Sequence, residues 1–600
     1  MVTHTAMSHD ENLIEKDFEW DRDTWEVIQL FVKRDKGSHL VSHQLHSYNT
    51  FIQKELPVVI EQYNPITLNY NFDEDVGKYL HSVQIFINNI TLSEPTANEN
   101  NGCTQVMTPH IARLRNFSYS SPMTVDFTIK TIVTQPSGES CTNIKKLKKI
   151  PIGKMPIMLR SRLCVMYDQF ANQEKECKFD KGGYFIINGN EKVLISQERV
   201  ADNKVLVFKS KSSSNSSYTV EIKSRTPGKF LYPKSVRISL STKKKTAGSL
   251  LVSIPNVKTE IPLYILFRAL GICSDKEITS YIVQEFTSPD SLQIQQLLRV
   301  SVQVASDAQV YSQKDAISFI GKYITATLYS KELSEEERKL NYVTRILNSI
   351  LTHVGNGTKE RAFFLGYMVR RMLHVAIGRA SPDLRDSYIN KSIDTPGQLV
   401  RNLFVQFYTK LLRDTKTSIN KEYNSGSWKS QNDFHNLITN TNIYRMVKAS
   451  TIENGLKYAF ATGNWGTKSS TAYQIGVSQV LSRLTYNSSL SHLRRINTPM
   501  DKSGKLILPR KLHPTQHFIM CPAECFDPMT EIMMWNGQMK FAKDIVVGDT
   551  LIDDRGLPVK VKSTCSGMKN MYDVIPDKAN FVKHRVTDNH ILTLRIRRHK

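Results

Sequence analysis

Between Gly476 and Asn497, four side chains able to donate to phosphate (Arg483, Arg494, Arg495 and Asn497) alternate with the hydroxyls of Ser478, Thr485, Tyr486, Ser488, Ser489 and Ser491. Arginines and short hydroxyls bond phosphate oxygens and sugars without reading base edges, as a sequence-independent nucleic-acid groove requires. Composition gives an ordinary polar loop equal standing. Gly463-Asn464-Trp465-Gly466, just upstream, belongs to the same reading. The stretch Arg510-Lys511-Leu512-His513-Pro514-Thr515 repeats the ingredients, with Arg510 and His513 as candidate contacts. A run of Lys145, Lys146, Lys148, Lys149 and Lys154, with Arg160 and Arg162, offers a phosphate track or, the favoured reading, a solvated face. A different kind of chemistry is suggested at Cys525, a thiol set directly after Cys521-Pro522-Ala523-Glu524, where two unrelated sequence patterns meet without a linker.

The whole chain bounds these readings. Its 600 residues exceed one hydrophobic core, and roughly three to five units are expected at ~100–200 residues per domain. Lys+Arg 80 against Asp+Glu 56 gives a formal charge of +24, which favours polyanionic partners through phosphate neutralisation and counterion release. The N-terminus carries Asp10, Glu11, Glu15, Asp17, Glu19, Asp21 and Asp23, unlike a secretory signal. Apolar runs are interrupted by arginines such as Arg361, Arg370 and Arg371, so no membrane partner is expected and a cytosolic or nuclear protein is. The 8 cysteines form no C-x-x-C pair and no tight cluster with histidine, which argues against a structural zinc site and leaves the metal-ligating set empty.

Several elements can be placed. Tyr184, Phe185, Ile186 and Ile187, then Asn188-Gly189, then Val193, Leu194 and Ile195 predict a hairpin, because both turn positions need positive φ. The polar stretch from Ser93 to Gly102 reads as a surface loop, and Ser210 to Ser217 as a loop within a β-rich region. From Ile261 to about Arg379 the pattern is mainly helical. After Asp394-Thr395-Pro396-Gly397, two i, i+4 rows (Leu399, Leu403, Phe407, Leu411 and Val400, Phe404, Tyr408, Leu412) predict a packed amphipathic core helix. Beyond Cys525 short strands are expected at Glu531 to Trp535, Phe541 to Val547, Leu551-Ile552, Met571 to Ile575 and Ile591 to Ile596, with turns at Asn536-Gly537 and Gly548-Asp549.

Pro156-Ile157-Met158-Leu159-Arg160-Ser161, Gly182 to Gly189 with Glu191-Lys192-Val193-Leu194-Ile195, and Phe267-Arg268-Ala269-Leu270-Gly271 resemble the second-largest subunit of multisubunit DNA-directed RNA polymerases. So do Ala461 to Gly466, Gly476 to Pro499 and Cys521-Pro522-Ala523-Glu524. The resemblance runs in order from about Trp20 to Glu524 and is nearest the polymerase II type of eukaryotes or large DNA viruses. It implies a multidomain α+β fold: a flexible N-terminus at 1–19, a protrusion at 20–205 resuming at 386–455, a lobe at 206–385 and a fork region at 456–524. It further implies the largest subunit and other polymerase subunits as partners, with a DNA template and RNA–DNA hybrid near the fork. Mg2+ would be held mainly by the largest subunit, with no cofactor bound by this chain. Nuclear residence follows, or cytoplasm and virion for a viral host. The family continues Cys-Pro-Ala-Glu with Thr-Pro-Glu-Gly, where this chain has Cys525-Phe526.

Cys525 through Gly537, and Thr587-Asp588-Asn589-His590, resemble the first and second splicing blocks of an intein. This implies a partial all-β Hedgehog/intein domain at 525–600, with its C-terminal intein half supplied elsewhere, whether by a split gene or by sequence beyond Lys600. In that resemblance the Cys525 thiolate attacks the carbonyl of Glu524, the scissile bond lying between the two. His590 protonates the leaving amine and Thr587 holds the strained peptide, with Asp588 an orienting group. Cys565 reads as a strand residue. Two other functions stay open from sequence: a free-standing basic nucleic-acid-binding protein, and a Hedgehog-like autoprocessor whose N-terminal part is cargo.

Overall fold

The computed structural model describes residues 24–30, most of 38–520 and parts of 531–587; residues 521–530 and 588–600 lie outside the described residues. Two large α+β units and a smaller unit joining them make up residues 38–520.

The first unit is a four-stranded antiparallel sheet in the order Ile66–Asp73, Lys78–Leu92, Ser120–Thr134, Ser140–Pro156. Period-2 alternation turns Val83, Ile85 and Ile87, then Met123, Val125, Phe127 and Ile129 onto one face, and a bulge with Lys149 at φ 55 lets Leu147, Ile150 and Ile152 join them. Register brings Ile85 opposite Ile129 and Phe127 opposite Leu147. The helices Leu56–Glu61 and Ser450–Thr462 pack on the strands Lys78–Leu92 and Ser140–Pro156, and the helix Pro396–Ser425, with both expected rows of apolar residues buried, shares that core. Its start is fixed by Thr395, whose capping box with Gln398 satisfies first-turn amides, and by Pro396, which needs no amide partner there. Gly397 lets this helix touch the helix Ser42–Thr50: an added Cβ would overlap the Ser47 carbonyl. Trp465 closes the core from the far end, its indole donating to the Leu399 carbonyl at 3.0 Å.

The second unit is inserted between these halves. Its five strands, Leu206–Lys209, Ser216–Ser224, Lys234–Ser241, Leu250–Ser253 and Ile261–Pro262, pair as an antiparallel meander. The helices Leu263–Ala269, Asp275–Val283, Pro289–Asp307, Gln313–Gly321, Glu335–Leu347 and Thr358–Ala376 follow, as the helical pattern predicts. All of Leu263–Ala269 is buried, Arg268 included; its guanidinium bonds Asp275 at 2.6 Å and the Val310 carbonyl.

The joining unit shows the expected hairpin. Phe185–Ile187 and Asn190–Leu194 pair across a two-residue turn with Asn188 at φ 50 and Gly189 at φ 76. Asn190–Leu194 also pairs with Ser478–Val480. Ser196–Val200 lies between Lys391–Asp394, antiparallel, and Ile496–Asn497, parallel. Tyr184, Ile186, Val193, Ile195, Leu481 and Leu493 share its core.

Two expectations change. The stretch from Ser93 to Gly102 contains a strand, Thr96–Asn98, paired with Thr104–Val106, and Ala97 is buried; its polar composition concealed the pairing. The strand expected at Phe541 to Val547 is Met539–Phe541, paired with Glu531–Met533. Asp549 accepts from the Val546 amide at 2.9 Å and from Lys540 at 2.7 Å, which builds the Gly548-Asp549 turn. Thr550–Ile552 pairs with Pro558–Lys560, and Met571–Val574 with His584–Thr587. The strand expected at Ile591 to Ile596 lies outside the described residues.

Candidate nucleic-acid interface

The lysine run occupies the edge strand Ser140–Pro156. Lys146, Lys148, Lys149 and Lys154 are exposed while Leu147, Ile150 and Ile152 face the core, so the run is the outer face of an amphipathic strand. Lys154 pairs with Glu453 at 3.4 Å and Lys145 donates to the Ile438 carbonyl at 3.1 Å.

The arginine segment is built differently. After Ser478–Val480 the chain turns into the helix Tyr486–Leu493, whose first turn is capped by Thr485 Oγ1 accepting from the Ser488 amide at 3.0 Å. Four of the six hydroxyls expected to face phosphate, those of Ser478, Thr485, Ser488 and Ser489, are used inside the protein. Ser478 donates to Phe460 O at 2.7 Å, Ser488 to Thr485 O at 2.9 Å and Ser489 to Ser482 O at 2.6 Å. His492, buried, accepts from the Ser482 amide at 3.1 Å and donates to Gln479 at 3.0 Å.

Arg483 differs from the expected open phosphate donor. Its guanidinium bonds Glu191 Oε2 at 2.6 Å, Asp180 Oδ2 at 2.8 Å and the Tyr184 hydroxyl at 2.8 Å, and lies 4.9 Å from the Tyr184 ring centroid. Arg113 completes the group by bonding Glu191 at 2.9 Å, Glu176 at 2.6 Å and Tyr184 at 2.7 Å. Burial pushes the Asp180 carboxyl up, but the Arg483 charge and hydrogen bonds from the Gly182 amide and Tyr184 outweigh it and hold it below the usual range. Glu191 is likewise lowered: burial opposes ionisation, and bonds and charges from Arg483 and Arg113 prevail. These side chains line a cavity of about 250 Å³ together with Tyr486, Leu490 and Leu493.

The remaining candidates lie along the outer side. Arg494 is exposed and donates to the Leu40 carbonyl at 2.7 Å. Arg495 is half-buried and Arg510 exposed; neither side chain has a hydrogen bond or ion pair among the described residues. Asn497 is exposed and donates to Gln197 at 2.9 Å. His513 Nδ1 accepts from the Thr515 amide at 3.2 Å, and Thr515 Oγ1 accepts from the Tyr388 amide at 2.9 Å, which ties this turn to buried Glu198 through the Tyr388 hydroxyl. Trp465 and Gly463 serve packing and helix termination, with Gly463 at φ 77 ending Ser450–Thr462.

Sequence reasoning missed Asp180, Tyr184 and Glu191 as partners of Arg483, and Gln44 and His43, which both donate to the Leu493 carbonyl at 2.6 and 3.2 Å. No local pattern marks pairs so far apart in the chain. Glu524, Cys525, Asp588 and His590 lie outside the described residues; Thr587 ends a strand opposite Met571. Among the described residues, no group of three or more His, Cys, Asp or Glu could hold a metal ion, and no helix is long and apolar enough to cross a membrane.

Comparison with known proteins bears on the same segments. Residues 39–454 match the family described as RNA polymerase beta subunit, and residues 479–527 match RNA polymerase Rpb2, domain 3. The chain is 37% identical over 523 residues to DNA-directed RNA polymerase II subunit 2 of Arabidopsis thaliana, covering 84% of this chain and 42% of that protein. It is 36% identical over 524 residues to DNA-directed RNA polymerase II subunit RPB2 of Schizosaccharomyces pombe, covering 84% and 41%. It is 29% identical over 523 residues to DNA-directed RNA polymerase subunit Rpo2N of Methanothermobacter thermautotrophicus, covering 84% and 91%. The chain thus spans about two fifths of the length of the two eukaryotic relatives.

Proposed function

The chain belongs to the RNA polymerase beta subunit family, as an N-terminal part of an Rpb2-like second-largest subunit, and from that premise we propose that it serves DNA-dependent RNA synthesis in a nuclear or viral multisubunit polymerase. The two α+β units correspond in this reading to protrusion and lobe, and the segment around the helix Tyr486–Leu493 to the fork. Arg494, Arg495, Asn497 and Arg510 provide donors beside nucleic acid, positioning it by charge without base reading. What supports this reading is the ordered match through 39–454 and 479–527, a span that includes Arg494, Arg495, Asn497 and Arg510. Mg2+ and bond formation belong to the partner largest subunit. Co-expression with the remaining polymerase subunits is expected to give a stable complex containing residues 1–524. A chain that elutes alone under all such conditions refutes the proposal.

We propose in addition that Cys525 begins a protein-splicing element. Supporting it are the thiol that replaces the family's threonine right after Glu524, a domain match that ends at residue 527, and the paired short strands between Glu531 and Thr587. The thiolate attacks the Glu524 carbonyl, the peptide C–N bond breaks, and the amine takes a proton from His590. With the C-terminal intein half and a small thiol present, mass spectrometry is expected to find a fragment ending at Glu524. Cys525→Ala should abolish it and His590→Ala slow it; release that survives Cys525→Ala rules out this chemistry.

A further inference from the structure

We infer that Arg483 is a positioning residue: its ion-paired guanidinium and the Gln44 amide clamp the two ends of the helix Tyr486–Leu493, and so set the direction in which Arg494 and Arg495 leave that helix. This rests on the nucleic-acid reading of the outer arginines. At the N-terminal side, Arg483 stands two residues before the capping threonine Thr485 and is held by Glu191, Asp180 and Tyr184. Glu191 belongs to the paired strand Asn190–Leu194, so the anchor rests on a sheet and not on a loop. At the C-terminal side, the Leu493 carbonyl accepts from buried Gln44 at 2.6 Å and from His43 at 3.2 Å, both on the helix Ser42–Thr50. Arg494 then reaches back to Leu40 at 2.7 Å. The buried His492 ring, bonded to Ser482 and Gln479, ties the two ends to each other. A helix of about two turns with its cap, its middle (through Ser489 donating to the Ser482 carbonyl) and its last carbonyl all fixed has little freedom to rotate, and Arg495 stands two residues beyond it. Geometry fixed this way lets a cation meet a phosphate without ordering its backbone on binding.

The acidic partners make the inference testable by sign. Glu191→Gln and Asp180→Asn each remove a negative charge. A side chain acting only through its field, or an Arg483 released to contact phosphate, would then bind nucleic acid more tightly. A positioning role requires the opposite. The probe is a fluorescein-labelled RNA–DNA hybrid titrated with the 600-residue chain at several salt concentrations. Glu191→Gln is expected to weaken binding about three- to tenfold, and the weakening should vanish when Arg495 is already alanine, since both changes remove the same contact. Arg495→Ala is expected to lower the magnitude of the salt slope by about 0.9, as for one lost phosphate contact. Tyr184→Phe, which keeps the ring, is the milder variant should Glu191→Gln compromise folding; it should weaken binding in the same direction and speed amide exchange in Tyr486–Leu493. Unchanged or tighter binding by folded Glu191→Gln, Asp180→Asn and Tyr184→Phe overturns the positioning role. If Arg495→Ala leaves affinity and slope untouched, the nucleic-acid reading itself fails, whatever the other variants do.

Discussion

The strand Ser140–Pro156 and the segment from Ser478 to Asn497 are both rich in cations, and they use them in opposite ways. On the strand, pleat and bulge sort the side chains: Lys146 and Lys148 flank buried Leu147 on the water side, and a bulge with Lys149 at φ 55 returns Ile150 to the core. No such period sorts the arginines. Arg483 bonds carboxylates, Arg494 bonds a carbonyl, and Arg495 has neither kind of bond among the described residues. Positive charge in a sequence therefore says little about availability. What decides it is whether the backbone brings half-buried carboxylates within reach, as Asp180 and Glu191 are for Arg483, whereas Lys154 on the strand meets only the more exposed Glu453 at a longer distance.

The contrast can be broken most severely from beneath the lysines. Leu147→Ala removes the apolar side of the strand and should cost about 2–5 kcal/mol in denaturant unfolding; a cost under about 1 kcal/mol would mean the lysine strand is not held by the sheet. Arg483→Ala comes next. It strips a cation from Asp180, Glu191 and Tyr184, and because its side chain is 44% exposed the loss should be about 1–2 kcal/mol, not the full value of a buried ion pair. Loss of less than about 0.5 kcal/mol would make the ion pairs mere surface contacts.

Acid provides a third test. Burial chiefly holds the His43 pKa below its usual value, against the bond to the Leu493 carbonyl that favours the charged form. The folded chain thus prefers neutral His43, and its contribution declines as pH falls from about 6.5 towards the folded value. Asp180 and Glu191 are lowered too, so their stabilisation is complete above the ordinary carboxylate range and disappears as pH falls through their folded values. Both signs agree: protection factors of the Tyr486–Leu493 amides should drop between pH 7.5 and 5.5, and again below pH 4. Rising protection on acidification would contradict the assignment of either group. The smallest effect is Lys146→Ala, within about 0.5 kcal/mol in the same denaturant assay; a larger change would show that this lysine has a partner.

Periodic features could be read from the chain itself. The two rows beginning at Leu399 and Val400 predict the long helix because burial repeats with the helical period, and Asn188-Gly189 predicts its turn because few residue pairs accept two positive φ values. Where a single side chain met a distant partner, sequence reasoning stopped. Nothing near Arg483 signals Asp180 or Glu191, and nothing near Ile496 signals its parallel pairing with Ser196. The run of β-formers up to Val547 also hid that the Val546 amide bonds the Asp549 side chain in a turn.

The insertion of the second unit between the halves of the first has a consequence for synthesis. Strands up to Pro156 leave the ribosome with their apolar face covered only in part, by the helix Leu56–Glu61, and the helices that complete that core begin only at Pro396. At about 5–20 residues per second, the apolar face waits tens of seconds while the intervening meander and helices are made and fold. Every nascent copy passes through a stage in which part of an oily sheet faces water before the chain that completes the core has been made.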